Sequence, residues 1–113
     1  MNPLGRHVVM DAELEVMPEP RALLEICEAA IAASGMSVEC SVRKDFRPHG
    51  MTAVWVLAKS HFTVHTYPEH RYISVDCYTC GDEGDPDAAV EELLKRLEVA
   101  RVHRAALKRG VHF

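Results

Sequence analysis

No stretch of this chain approaches the roughly 18 consecutive apolar residues that cross a bilayer, and no basic segment followed by an apolar one opens it. A membrane partner is therefore not expected, and the location read from the sequence is the cytoplasm. Runs of like charge are missing too. Thirteen Lys and Arg are interspersed with 17 Asp and Glu, for a net charge of −4, which leaves no basic stripe for nucleic acid and no charged tail. Repeats and linkers are also lacking, so the 113 residues read as a single domain over 1–113, too short for two cores. The partner expected of such a chain is a small metabolite, with its site completed at an interface. Without a secretion signal, the even count of Cys27, Cys40, Cys77 and Cys80 does not imply disulfides, and all four are read as reduced.

What is present is period-two and helical patterning. Val8, Met10, Ala12, Leu14 and Val16 alternate with more polar residues, predicting a first strand over His7 to Val16. Pro18 and Pro20 end it, and Leu23, Ile26, Cys27, Ala30 and Ile31 recur at helical spacing, predicting a helix from Pro20 to Ser34 that Gly35 closes. Val38, Cys40 and Val42 predict a second strand, and Ala53 to Ala58 a third after the turn-like Arg47-Pro48-His49-Gly50. Phe62-Thr63-Val64 and Tyr72 to Val75 flank Tyr67-Pro68-Glu69-His70 as a hairpin. Asp85 as N-cap and Pro86 at the first helical position open a second helix with Val90, Leu93, Leu94, Leu97 and Ala100 on its apolar face. A short last strand follows from Arg101. The class is α+β: an antiparallel β-sheet with two helices packed on one face.

The chemistry concentrates in Lys59-Ser60-His61-Phe62-Thr63-Val64-His65-Thr66-Tyr67-Pro68-Glu69 and, a strand later, Asp76-Cys77-Tyr78-Thr79-Cys80-Gly81. Acyl-transfer hydrolysis by Ser60 is disfavoured because Gly-x-Ser-x-Gly is absent. Zinc or redox work at Cys77-x-x-Cys80 is disfavoured as well. Residues three apart on a strand face opposite sides, and His61 and His65 would stand about 13 Å apart at ~3.4 Å per residue, too far for shared coordination. No metal is expected. Cys77, like Cys27 and Cys40, reads as a buried small hydrophobe, and His7, His61 and His70 are given no catalytic part. The remaining option for Ser60 is self-processing: its hydroxyl attacks the Lys59 carbonyl, and the resulting ester eliminates and hydrolyses to a pyruvoyl N-terminus. That route needs a base, an oxyanion donor and local strain.

The ordered set Ser60, His65, Glu69 and Cys80 resembles the prokaryotic S-adenosylmethionine decarboxylases, pyruvoyl-dependent proenzymes that cut themselves before a serine. Leu4-Gly5-Arg6-His7 is similar to that family's opening motif, Phe46-Arg47-Pro48 with Gly50 to its adenine-pocket loop, and Arg101-Val102-His103 to the start of its last strand. The resemblance implies scission between Lys59 and Ser60 and a pyruvoyl cofactor derived from Ser60. It implies that His65 and Thr52 assist processing, that Cys80 protonates the product, and that Phe46 and Glu69 contact the adenine and the ribose. It further implies a sheet-and-helix sandwich, S-adenosylmethionine as substrate, decarboxylated S-adenosylmethionine for spermidine synthesis as product, and a homodimer of cleaved protomers. A pyruvoyl ketone forms a Schiff base with an amine and accepts the electrons that carbon dioxide leaves behind, and a thiol suits the proton return.

The chain departs from the family at Lys59, where the relatives carry glutamate. A unit charge 4 Å from a cationic substrate is worth about 4 kcal/mol at an effective dielectric of 20, and far less when solvated. Two alternatives stand beside the main reading: a pyruvoyl-dependent arginine or ornithine decarboxylase, and an uncleaved, non-catalytic paralogue that binds a nucleoside or a partner.

Overall fold

The computed structural model describes residues 3–80 and 84–110. Six strands and two helices alternate along it: β1 (Gly5–Leu14), α1 (Pro20–Ala33), β2 (Val38–Asp45), β3 (Met51–Leu57), β4 (His61–Tyr67), β5 (Tyr72–Cys80), α2 (Pro86–Lys95) and β6 (Val99–Arg109), with a short 3-10 turn at Pro68–His70. The strands form one sheet in the order β2-β3-β4-β5-β1-β6, and every neighbouring pair is antiparallel. Both helices cover the same face. The predicted class therefore stands; residues 1–2 and 111–113 of the predicted domain, and Gly81 of the predicted motif, lie outside the described residues.

Alternation decides which face is covered. Val8, Met10, Ala12 and Leu14 of β1, Ala53, Trp55 and Leu57 of β3, Phe62 and Val64 of β4, and Ile73, Val75 and Cys77 of β5 are all buried toward Leu23, Cys27 and Ile31 of α1 and Val90 and Leu93 of α2. Trp55 and Phe62 meet edge to face with centroids 5.8 Å apart, worth about 0.5–1.5 kcal/mol beyond area burial. The Trp55 indole donates to Glu28 Oε2 at 3.0 Å, tying β3 to α1. Arg104 reaches from β6 to Asp87 at 3.0 Å and to Glu91, tying that strand to α2.

The predicted helix starts hold because local chemistry sets them, whereas α2 ends at Lys95, so Leu97 and Ala100 of its predicted apolar face lie beyond it and Ala100 is exposed on β6. Pro20 stands at the start of α1, and Gly35 follows its end at φ +84°, a left-handed position natural to glycine. The Asp85 side chain accepts from the Asp87 amide at 2.9 Å, capping α2 ahead of Pro86. Three further expectations need correction. β1 runs from Gly5 to Leu14 rather than from His7 to Val16, because the register shifts at Glu13/Leu14 and Val16 is 53% exposed beyond it. β6 is eleven residues long, not short, since it is zipped along the whole of β1. Cys40 is exposed rather than buried, because β2 is an edge strand lying beyond the helices.

Candidate functional site

Thr52 and His65 face each other across the β3–β4 ladder, and the Thr52 hydroxyl and His65 Nδ1 share a hydrogen bond of 2.8 Å. Both side chains lie on the sheet face away from the helices. Next to them the β2–β3 loop folds back, with the Phe46 amide donating to the Gly50 carbonyl at 2.9 Å and Gly50 at φ +101°. A side chain at Gly50 would be strained by that backbone and would crowd the Thr66 carbonyl. The loop thereby presents Phe46, half exposed, opposite Glu69 of the 3-10 turn. Phe46, Thr52, His65 and Glu69 line one cavity of about 220 Å³. Four of the predicted site residues thus come together although they span the chain from 46 to 69.

His49 also lines this cavity, and its Nε2 lies 3.2 Å from Glu69 Oε1. The Glu69 carboxyl is held below its ordinary range chiefly by its own backbone amide, partly opposed by burial, with His49 and His70 adding lesser lowering effects. His49 was legible only as part of a turn; its place 20 residues before Glu69 gives no signal of this pairing. A second, larger cavity of about 480 Å³ adjoins, sharing Phe46, His49 and Gly50 and running toward Met17 and Leu23.

Ser60 and Cys80 are elsewhere. Ser60 immediately precedes β4, five residues from His65, a separation of about 16 Å at ~3.3 Å per residue. Its side chain points to the helix side and is buried, whereas His65 is exposed on the opposite side. No hydrogen bond within one chain can join them. The bond between Lys59 and Ser60 lies in a tight turn closed by the Leu57 amide donating to the Ser60 carbonyl at 2.8 Å. Lys59 is exposed there and, among the described residues, makes no ion pair. Arg71 is the only described non-glycine residue with positive φ, so neither Lys59 nor Ser60 is held in the left-handed region. The hydroxyls of Ser60 and of Thr79 on β5 have no hydrogen-bond partner among the described residues, a condition that costs about 1–3 kcal/mol for a buried group.

Cys80 closes β5 on the open face, while Cys77, three residues earlier, is fully buried and its thiol is pushed up to about 12 by burial, with Asp76 contributing. Between Cys80 and the middle of the sheet lies a cluster the sequence reading passed over. Asp76 Oδ2 accepts from His7 at 2.7 Å and from His61 at 2.8 Å, and Thr63 donates to its other oxygen. Burial alone would raise the Asp76 carboxyl, but these hydrogen bonds outweigh it and hold the group below its ordinary range. The ligand-capable atoms of His7, His61 and Asp76 lie within 4.8 Å of one another. However, the Arg109 guanidinium donates to His7 Nδ1 at 3.4 Å, which turns the His7 Nε2–H toward Asp76. Tyr78 stacks on His61 at 5.9 Å and lies under Arg109. The cluster is a hydrogen-bonded post that fixes the start of β4 against β1 and β5.

Comparison with known proteins finds relatives along nearly the whole chain. The profile described as S-adenosylmethionine decarboxylase matches residues 6–110. The chain is 37% identical to the S-adenosylmethionine decarboxylase proenzyme of Pyrococcus furiosus over 98% of its own length and 82% of that protein's. It is 36% identical to the proenzyme of Thermotoga maritima, covering 97% of this chain and 87% of that one. Its fold superposes on the crystal structure of the adenosylmethionine decarboxylase from Aquifex aeolicus with a TM-score of 0.87 at 29% identity, covering 100% of this chain and 96% of that one.

Proposed function

The chain belongs to the S-adenosylmethionine decarboxylase family and shares its activity, and we propose that it works as a homodimer whose protomers each cut themselves between Lys59 and Ser60 and each supply half of two sites. The observation that carries this reading is the division of the site residues between two ends of one sheet. Phe46, Thr52, His65 and Glu69 line a cavity of about 220 Å³, short of the ~300–1,000 Å³ usual for a small-molecule pocket. Ser60 and Cys80 sit at the other end of the same strands. A two-fold axis through the middle of the open face brings the Ser60 end of one protomer over the His65 end of its partner, and repeats the arrangement at the second site. The open face is suited to being covered: Val9, Val42, Val56 and Leu107 are exposed on it, Val42 by 65% and Leu107 by 54%.

Within that assembly the residues divide the work. A pyruvoyl group made from Ser60 would supply the carbonyl that takes up the substrate amine and the electron sink for decarboxylation. Phe46 stacks on the adenine, and Glu69, already ionised beside His49, accepts from the ribose hydroxyls. Thr52 fixes His65 through its hydroxyl, giving the partner's scissile turn a hydrogen-bonded imidazole for the proton transfers of processing. Cys80 returns the proton to the substrate carbon after carbon dioxide leaves. Lys59 is exposed in the single uncut protomer, where an ammonium is largely screened by solvent.

The test is intact-mass spectrometry of freshly purified protein together with carbon dioxide release from S-adenosylmethionine, arginine and ornithine. Two fragments, the second beginning with a pyruvoyl group at position 60, and release from S-adenosylmethionine alone are expected. A single 12.6 kDa species carrying an unmodified serine and releasing nothing overturns the proposal.

A further inference from the structure

Ser60 and Thr79 are the two buried polar residues of the described chain, exposed by 8% and 1%, and they are also the two whose buried hydroxyls lack a partner among the described residues. Register makes them neighbours. The β4–β5 ladder pairs Phe62 with Cys77 and His61 with Tyr78, and one step further along the same register sets Ser60 opposite Thr79. Both side chains point to the helix side, since the flanking Tyr78 and Cys80 belong to the open face. Directly opposed Cβ atoms stand about 4.5–5.5 Å apart, a gap that rotation about χ1 closes to hydrogen-bonding distance between two hydroxyls. Valine has the shape of threonine and would fill this apolar position without leaving a hydroxyl unpaired, so packing gives no reason for Thr79.

We propose that Thr79 is a positioning residue for the self-cut: its hydroxyl takes the hydrogen bond of Ser60 and aims Oγ at the carbonyl carbon of Lys59. The inference rests on the self-processing reading given above. In the step it serves, the bond from Ser60 Oγ to the Lys59 carbonyl carbon forms as the Lys59–Ser60 C–N bond breaks, and the hydroxyl proton ends on the Ser60 nitrogen. Thr79 neither gains nor loses a proton, and holds the attacking oxygen out of the rotamers that point away from the turn.

The experiment follows scission by intact mass in parent, Thr79→Val and Thr79→Ser chains sampled at intervals after cell-free synthesis. Thr79→Val is expected to slow the cut about tenfold, the scale on which one net hydrogen bond alters a rate, and Thr79→Ser to restore it to within about threefold of the parent. Thermal midpoints are compared in the uncuttable Ser60→Ala background, where Thr79→Val is expected to melt no lower than its threonine counterpart. A Thr79→Val chain cut at the parent rate overturns the inference and leaves self-processing in place. Slow cutting that comes with a lowered midpoint and no rescue by serine overturns it as well. A parent chain that is never cut overturns both readings.

Discussion

Two dead variants should revive each other. Ser60→Ala removes the only hydroxyl that can cut the chain, and His65→Ala removes the imidazole held by Thr52, so each alone is expected to be inactive. If Ser60 of one protomer works with His65 of its partner, a dimer containing one chain of each kind has one site with both residues and one with neither. Equal co-expression with random pairing makes half of the dimers mixed, and half of their sites whole, so about a quarter of the parent activity returns. The structure fixes the contrast. Ser60 and His65 of one chain are about 16 Å apart on opposite sides of a strand, so a site drawn from one chain has no means of recovery. The assay is carbon dioxide release by the purified mixture, with mass spectrometry showing that only the His65→Ala chains are cut. Recovery indistinguishable from zero in a preparation shown to contain mixed dimers would refute the shared site.

Three further outcomes are expected. Cys80→Ala should leave scission substantially intact, seen as two fragments by mass, while suppressing turnover. Asp76→Asn should lower stability at neutral pH. Because the Asp76 carboxyl is depressed in the folded chain, its contribution is fully present above the ordinary value of 3.8 and is lost as pH falls through the depressed one, so urea midpoints of parent and variant should converge in acid. Leu93→Ala, at a fully buried position of α2, should cost about 2–5 kcal/mol by chemical denaturation, measured in the Ser60→Ala background to keep the chain in one piece.

The parts of this molecule that were legible in its sequence are those whose causes are local. Asp85 and Pro86 specify a helix start by themselves, and the alternation from Ile73 to Cys77 states which side of β5 is buried. The strand β6 was underestimated because Arg101 to Arg109 show no clean alternation; as an edge strand it takes its register from β1 rather than from a buried face. Cys40 was misplaced for the related reason that an alternating pattern does not tell an edge strand from a central one. The post at Asp76 joins residues 69 positions apart, and its only trace in the sequence is that Asp76, Tyr78 and Cys80 share a parity. Thr79 occupies an apolar slot of the same alternation, which carries no mark of its hydroxyl. The candidate site was recognisable as an ordered motif, but its division between two ends of the sheet follows from strand length and facing, which a motif does not carry.

The strand order has a consequence for life after scission. The proposed cut would fall between β3 and β4, yet β1 of the upstream piece lies between β5 and β6 of the downstream piece, and β3 is zipped to β4. The two fragments are therefore interleaved like the fingers of clasped hands, and three ladders must open before they part. A subunit cut there would give up its covalent continuity without loosening, but once melted its halves would have to find each other by diffusion, so recovery would become dependent on concentration. The precursor folds as one chain; the product can only be inherited from it.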